Sequence, residues 1–196
     1  MNSRLSGSEE ALATMTCARI RDRPRPRILI GGLGMGFTLR AALADLGPDA
    51  RLIVTEIVPA VVLWARGPMA ELFGEALSDP RVTIREGDVG DVIESHAPAY
   101  DAILLDVDNG PEGLSRQAND SLYDTKGLRA ARTALSPGGI LAVWSSGPNR
   151  PFTERLRATG FRVDEVRVRA NGPRGGARHV LWLATKPSAP ILPPAN

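Results

Sequence analysis

Polar or glycine-rich residues close each of four short apolar runs, and those positions can do chemistry. RILIG at 27–31 opens into Gly31-Gly32-Leu33-Gly34-Met35-Gly36. Glycines allow tight turns and let backbone N–H groups approach a ligand closely. Such a loop suits a dinucleotide, a sulfonium nucleoside or merely a turn. Its spacing, Gly32, Gly34 and Gly36, departs from the dinucleotide pattern G-x-G-x-x-G. RLIVTE at 51–56 ends in Glu56, twenty positions after Gly36. A carboxylate there can accept both hydroxyls of a ribose and would repel a 2′-phosphate. RVTIRE at 81–86 leads into Glu86-Gly87-Asp88. Asp88 can accept from an exocyclic amine, as on adenine, or cap the next helix. YDAILLD at 100–106 ends in Asp106, followed by Val107-Asp108-Asn109-Gly110-Pro111. Asp106 can hold a cationic amine or take its proton. Asp108 and Asn109 can share that work or close an Asx turn.

The elements that must position these groups alternate along the chain. Residues 8–19 predict a helix with Ser8 as N-cap and Glu9 and Glu10 in its first turn. Helices are expected over 36–46, from Pro59 to about Phe73 with a break at Gly67-Pro68, over DVIESH (91–96), over 121–135 and over 151–159. Pro137-Gly138-Gly139 predicts a turn before a fifth strand, ILAVWS at 140–145. FRVDEVRVRA and RHVLWLAT alternate apolar and polar residues and predict a hairpin around NGPRGG. The expected fold is α/β: a Rossmann-like doubly wound sheet, mostly parallel, with an antiparallel C-terminal hairpin strand. Ligands bind such sheets beyond the carboxyl ends of the strands. One catalytic domain is expected over 1–186, with a Pro-rich, disordered tail over 187–196.

Composition narrows the function classes. The 196 residues suit one domain, with 43% hydrophobic and 23% charged residues. A net charge of +2 is too small to imply nucleic acid. Arg19, Arg21, Arg23, Arg25 and Arg27 form a local basic cluster, read as a solvated linker kept extended by Pro24 and Pro26 rather than a phosphate strip. No apolar run is long enough to span a bilayer, the first residues lack a signal-peptide core, and Cys17 has no intrachain partner. A cytoplasmic protein is expected. His96 and His179 lack metal-ligand spacing, and His179 reads as a surface residue beside the hairpin loop. No zinc motif, serine nucleophile elbow or P-loop lysine is present. Trp144 reads as core rather than as a stacking platform.

In this order the glycine loop, VTEIVPAVV, REGDV, ILLDVDNGPEG and SLYDTKGLRAARTALSPGGILAVW resemble the spermidine synthase family of aminopropyltransferases, a branch of the class I methyltransferase-like fold. The resemblance covers about residues 8–145. It implies Glu56 on the donor ribose, Asp88 near the adenine, Asp106 at the amine acceptor and Tyr123 lining the pocket. It also implies a homodimer. Two motifs depart from the family. Its GGGDGG carries an Asp, which helps hold the aminopropyl end of the donor; here Gly34 stands in its place. Its D-S-S-D-P appears as Asp106-Val107-Asp108-Asn109-Gly110. The first Asp matches; the second falls on Asn109, or on Asp108 if the loop shifts. The family's N-terminal β-strand domain has no counterpart, and the segment before Ser8 looks cut short.

The leading expectation is an S-adenosylmethionine-dependent methyltransferase acting on a small-molecule acceptor, with an amine among the candidates. Gly31, Gly32, Gly34, Gly36, Glu56, Asp88 and Asp106 would surround the donor. Asp106, Asp108 and Tyr123 would serve the reacting end, without a metal. The alternatives are a polyamine aminopropyltransferase using decarboxylated S-adenosylmethionine, a non-catalytic nucleoside-binding module, and an NAD-binding domain. Neither a nucleic acid nor a membrane is an expected partner.

Overall fold

Alternation in the strands sorts apolar side chains onto two faces of one sheet. In the computed structural model, which describes residues 6–95, 100–107, 111, 121–172 and 175–188, β1 (Arg27–Gly31) sends Ile28 and Ile30 to one core and Leu29 to the other. β4 (Tyr100–Leu105) does the same with Ala102 and Leu104 against Ile103 and Leu105. Successive side chains on a strand point to opposite faces, so both faces need cover. Each fully buried Ile or Leu stabilises the fold by roughly 1.5–3 kcal/mol.

The helices supply that cover. α1 (Gly7–Ile20), α2 (Phe37–Asp45), α3 (Pro59–Arg66) and the short α4 (Ala70–Phe73) bury Leu12, Leu39, Val62 and Phe73 in the first core. α5 (Val89–Glu94), α6 (Thr125–Ala134) and α7 (Arg150–Ala158) bury Ile93, Leu128 and Phe152 in the second. With β2 (Arg51–Glu56), β3 (Val82–Glu86), β5 (Leu135–Ser145), β6 (Arg162–Arg169) and β7 (Arg178–Thr185), the sheet has seven strands in the order β3-β2-β1-β4-β5-β7-β6. β7 lies between β5 and β6, antiparallel to both; the other described pairings are parallel. The Rossmann-like sheet with its antiparallel C-terminal strand is as the sequence predicts. The carboxyl ends of β1, β2, β3 and β4 meet along one edge, where the strand order reverses beside β1.

Several local expectations change. Ser8 lies inside α1 and is buried; Ser6 holds the N-cap position and makes no side-chain cap bond. α5 starts at Val89, earlier than DVIESH predicts, because the Asp88 side chain caps it. β5 runs through the expected Pro137–Gly139 turn, with a register irregularity opposite Tyr100 and Ala102 and a positive φ of 72° at Gly138. In the basic cluster, Arg23 donates to Asp101 at 2.7 Å and to the Pro137 carbonyl at 2.6 Å. That pair ties Arg23 to the sheet, while Arg21, Pro24 and Arg25 stay exposed as a solvated linker would. Most of the expected tail, 189–196, lies outside the described residues.

Candidate functional site

The glycine loop is shaped first by its own fold. Gly32 and Gly36 have φ of 92° and 74°. A Cβ on Gly32 would stand 2.5 Å from the Asp106 carbonyl oxygen, and one on Gly36 would stand 2.4 Å from the Phe73 ring. Only glycine meets both demands, conformation and space. On Gly31 a Cβ would press against Val89 at 3.0 Å. Gly34 also has a positive φ, 49°.

Glu56 anchors this loop. Its Oε2 accepts the Leu33 N–H at 2.9 Å, with the Gly34 N–H more distant at 3.5 Å, while Oε1 accepts the Val58 N–H at 2.9 Å. The residue is only 7% exposed. A carboxylate offers about four lone-pair sites, so these bonds leave capacity for a sugar hydroxyl. Gly32, Glu56, Ile57, Asp88, Val89 and Val107 line one cleft at the strand ends. Ile57 is 43% exposed, a large apolar side chain at the cleft wall beside an acid. Ile57, Val89 and Val107 suit the faces of an aromatic base. Sequence reasoning passed over Ile57, although its place directly after Glu56 was a usable signal.

Asp88 caps α5, its Oδ1 accepting the Gly90 N–H at 2.8 Å, and it also lines the cleft. The structure therefore shows the cap. Asp106 follows β4. Its backbone N–H donates to the Gly31 carbonyl at 3.0 Å, which places it beside the glycine loop. Its side chain lies toward α2, where Thr38 donates to Oδ2 at 2.6 Å. The carboxyl is pushed up to about 6, mainly by burial and also by the charge of Glu9, while the Thr38 bond pulls it back. A group tuned in this way can take a proton near neutral pH.

The remaining expectations divide. Asp108, with Asn109 and Gly110, lies outside the described residues, as does His96. Tyr123 sits in the second core with its ring edge-on to Phe152, and it is not among the residues lining the cleft. His179 is no free surface residue: it is half-buried, 2.9 Å from Ser8 through Nδ1, with its ring against Trp144. Trp144 is partly buried and packs on the first core. Cys17 is buried and its thiol is pushed up to about 12, so it is inert as a nucleophile. Among the described residues, no group of three or more His, Cys, Asp or Glu could hold a metal ion, and no helix is long and apolar enough to cross a membrane.

The architecture is the class I methyltransferase-like fold. The human methyltransferase-like protein 13 in complex with SAH superposes with a TM-score of 0.66 at 20% identity, covering 97% of this chain and 84% of that one. The spermidine synthase from Thermotoga maritima gives a TM-score of 0.73 at 21% identity, covering 95% and 62%. In sequence the chain is similar to a polyamine aminopropyltransferase of Mycobacterium tuberculosis (strain ATCC 25618 / H37Rv), 29% identical over 189 residues. That match takes in 90% of this chain and 35% of the relative, so the chain spans about a third of the relative's length. The resemblance to the spermidine synthase family is borne out by these similarities. No protein-family model matches the chain.

Proposed function

We propose that this chain transfers an aminopropyl group from decarboxylated S-adenosylmethionine to an amine, as the polyamine aminopropyltransferases it resembles are named for doing. The order of the two enzyme readings thereby reverses: the curated relatives carry the aminopropyltransferase name, and methyl transfer becomes the second reading. The observation that carries the proposal is Asp106, a half-buried carboxyl with raised proton affinity that immediately precedes Val107 in the wall of the cleft holding Gly32, Glu56 and Asp88.

The donor's sulfonium supplies an already activated carbon. The amine nitrogen forms a bond to that carbon, the C–S bond breaks, and its electron pair leaves a neutral thioether. Glu56 would hold the ribose hydroxyls, Asp88 the adenine amine, and Ile57 and Val107 the faces of the base. Asp106 would take the proton that the amine nitrogen must lose. Alignment of nucleophile, carbon and leaving sulfur accounts for much of the expected rate.

Gly34 favours the second reading, because it removes a carboxylate that would repel the carboxylate of intact S-adenosylmethionine. Calorimetry with 5′-methylthioadenosine, the thioether left by aminopropyl transfer, tests the site itself. Saturable binding weakened by Glu56→Gln supports it. Binding unaffected by that change removes Glu56 from the ribose.

A further inference from the structure

β6 ends the sheet, and no described strand lies against its outer edge. Its pairing with β7 decides which main-chain groups that edge presents. Ala170 donates its N–H to the Ala177 carbonyl at 2.9 Å, and the same register continues without a slip from Arg169 and Arg178 to Arg162 and Thr185. Hydrogen-bonded pairs alternate along an antiparallel ladder. Even-numbered residues of β6 therefore bond to β7. Val163, Glu165, Arg167 and Arg169 turn their N–H and C=O groups to the free edge.

A long edge strand is normally blunted by proline, lysine, a bulge or charge. RVDEVRVR holds no proline, lysine or bulge, so its charges are the remaining deterrent. Their order decides whether they deter. Glu165 is held by α7, where Thr153 donates to its Oε2 at 3.0 Å. Arg167 is exposed and has no acidic partner among the described residues. Two copies of β6 can join about a two-fold axis when outward-facing groups meet outward-facing groups. Centred on Glu165, the pairing sets that acid against its own copy. Centred on Arg167, it sets that cation against its own copy. Centred on Val166, it sets Glu165 opposite Arg167 and, by symmetry, Arg167 opposite Glu165. Directly opposed residues share a face, so both ion pairs can form, on either side of a Val166–Val166 contact.

We infer that β6 is the interface of a symmetric homodimer, two sheets joined antiparallel at Val166 with Glu165 of each copy paired to Arg167 of the other. Main-chain hydrogen bonds along the edge supply affinity, and the alternating side chains fix the register. The interface stands apart from the donor cleft, so the inference does not depend on the reaction.

Sedimentation equilibrium of the full chain, without donor or acceptor, tests it. The wild type should be a reversible dimer. Arg167→Glu turns both cross-strand pairs repulsive and should weaken dimerisation by roughly tenfold or more. Glu165→Arg should do the same, with loss of the Thr153 bond as well. Both side chains are exposed. The decisive samples restore the pairing. An equimolar mixture of the two variants should form a heterodimer, since each pair again joins an acid to a cation, and the double variant E165R/R167E should dimerise as the wild type does. Amide exchange reads the register: the N–H groups of Val163, Glu165, Arg167 and Arg169 should slow on dimerisation, and those of Asp164, Val166 and Val168 should not change. A wild type still monomeric at about 1 mM, a dimer indifferent to Arg167→Glu, or mixed variants that fail to associate overturns the inference.

Discussion

Thr38, in the first turn of α2, donates its hydroxyl to the half-buried carboxylate of Asp106 at 2.6 Å, joining the helix after the glycine loop to the end of β4. This bond stabilises the charged form and opposes the burial that raises Asp106. Thr38→Val keeps the shape and removes the donor. The acid limb of the activity profile should then move up by roughly one unit, and activity at pH 7 should fall. A pH–rate profile of kcat/KM measures it. An unmoved limb would show that the bond does not tune the base.

Asp106 also makes stability depend on pH. Its folded value, about 6, lies above the ordinary 3.8. Such a group contributes stability that is present below about pH 4 and lost as pH rises through about 6. Asp106→Asn abolishes the loss. Urea melts should show the variant more stable at pH 8 by on the order of 2–3 kcal/mol, with the difference vanishing near pH 4. Equal differences at both pH values would contradict this.

Glu56→Gln should weaken donor binding ten- to hundredfold, about 1.5–3 kcal/mol. The amide would also turn an N–H group toward the N–H of Leu33 or Val58, leaving one donor without an acceptor. Stability should therefore fall by about 1–3 kcal/mol. Calorimetry and thermal melts separate the two losses, and a variant that binds weakly at wild-type stability would argue against the anchoring role.

Gly36→Ala meets both a left-handed φ of 74° and the Phe73 ring. The expected cost is about 2 kcal/mol or more, or a Tm lower by at least roughly 4 °C. Adding Phe73→Leu should recover part of it, since the clash is relieved and the backbone strain stays. Full recovery would show that strain at Gly36 is negligible.

Much of this architecture was legible because single residues speak for it. RHVLWLAT is read as a strand and forms β7 over Arg178–Thr185, its apolar run VLWLA buried between the two cores; Glu56 ends β2 as RLIVTE predicts, while its hydrogen bond to the glycine loop was not foreseen. The pairing of Ser8 with His179 was not legible. Ser8 and Glu9 look like an ordinary helix start, and His179 is 171 positions from Ser8. Only the β7 strand inserting between β5 and β6 brings His179 to α1. Side chains paired across that distance leave no periodicity and no spacing to read. The continuous β5 was hidden for a different reason: Pro137 and two glycines signal a turn, but Lys186 hydrogen-bonds Gly138 and Gly139 and holds the segment in the sheet.

The central claim is aminopropyl transfer to an amine, and product analysis tests it most directly. The protein is incubated with a diamine and either decarboxylated or intact S-adenosylmethionine, and the products are resolved by mass spectrometry. The account predicts 5′-methylthioadenosine and a diamine heavier by one aminopropyl group from the decarboxylated donor, both lost in Asp106→Asn. S-adenosylhomocysteine and a methylated amine from the intact donor, with no reaction of the decarboxylated one, would contradict it and establish methyl transfer instead.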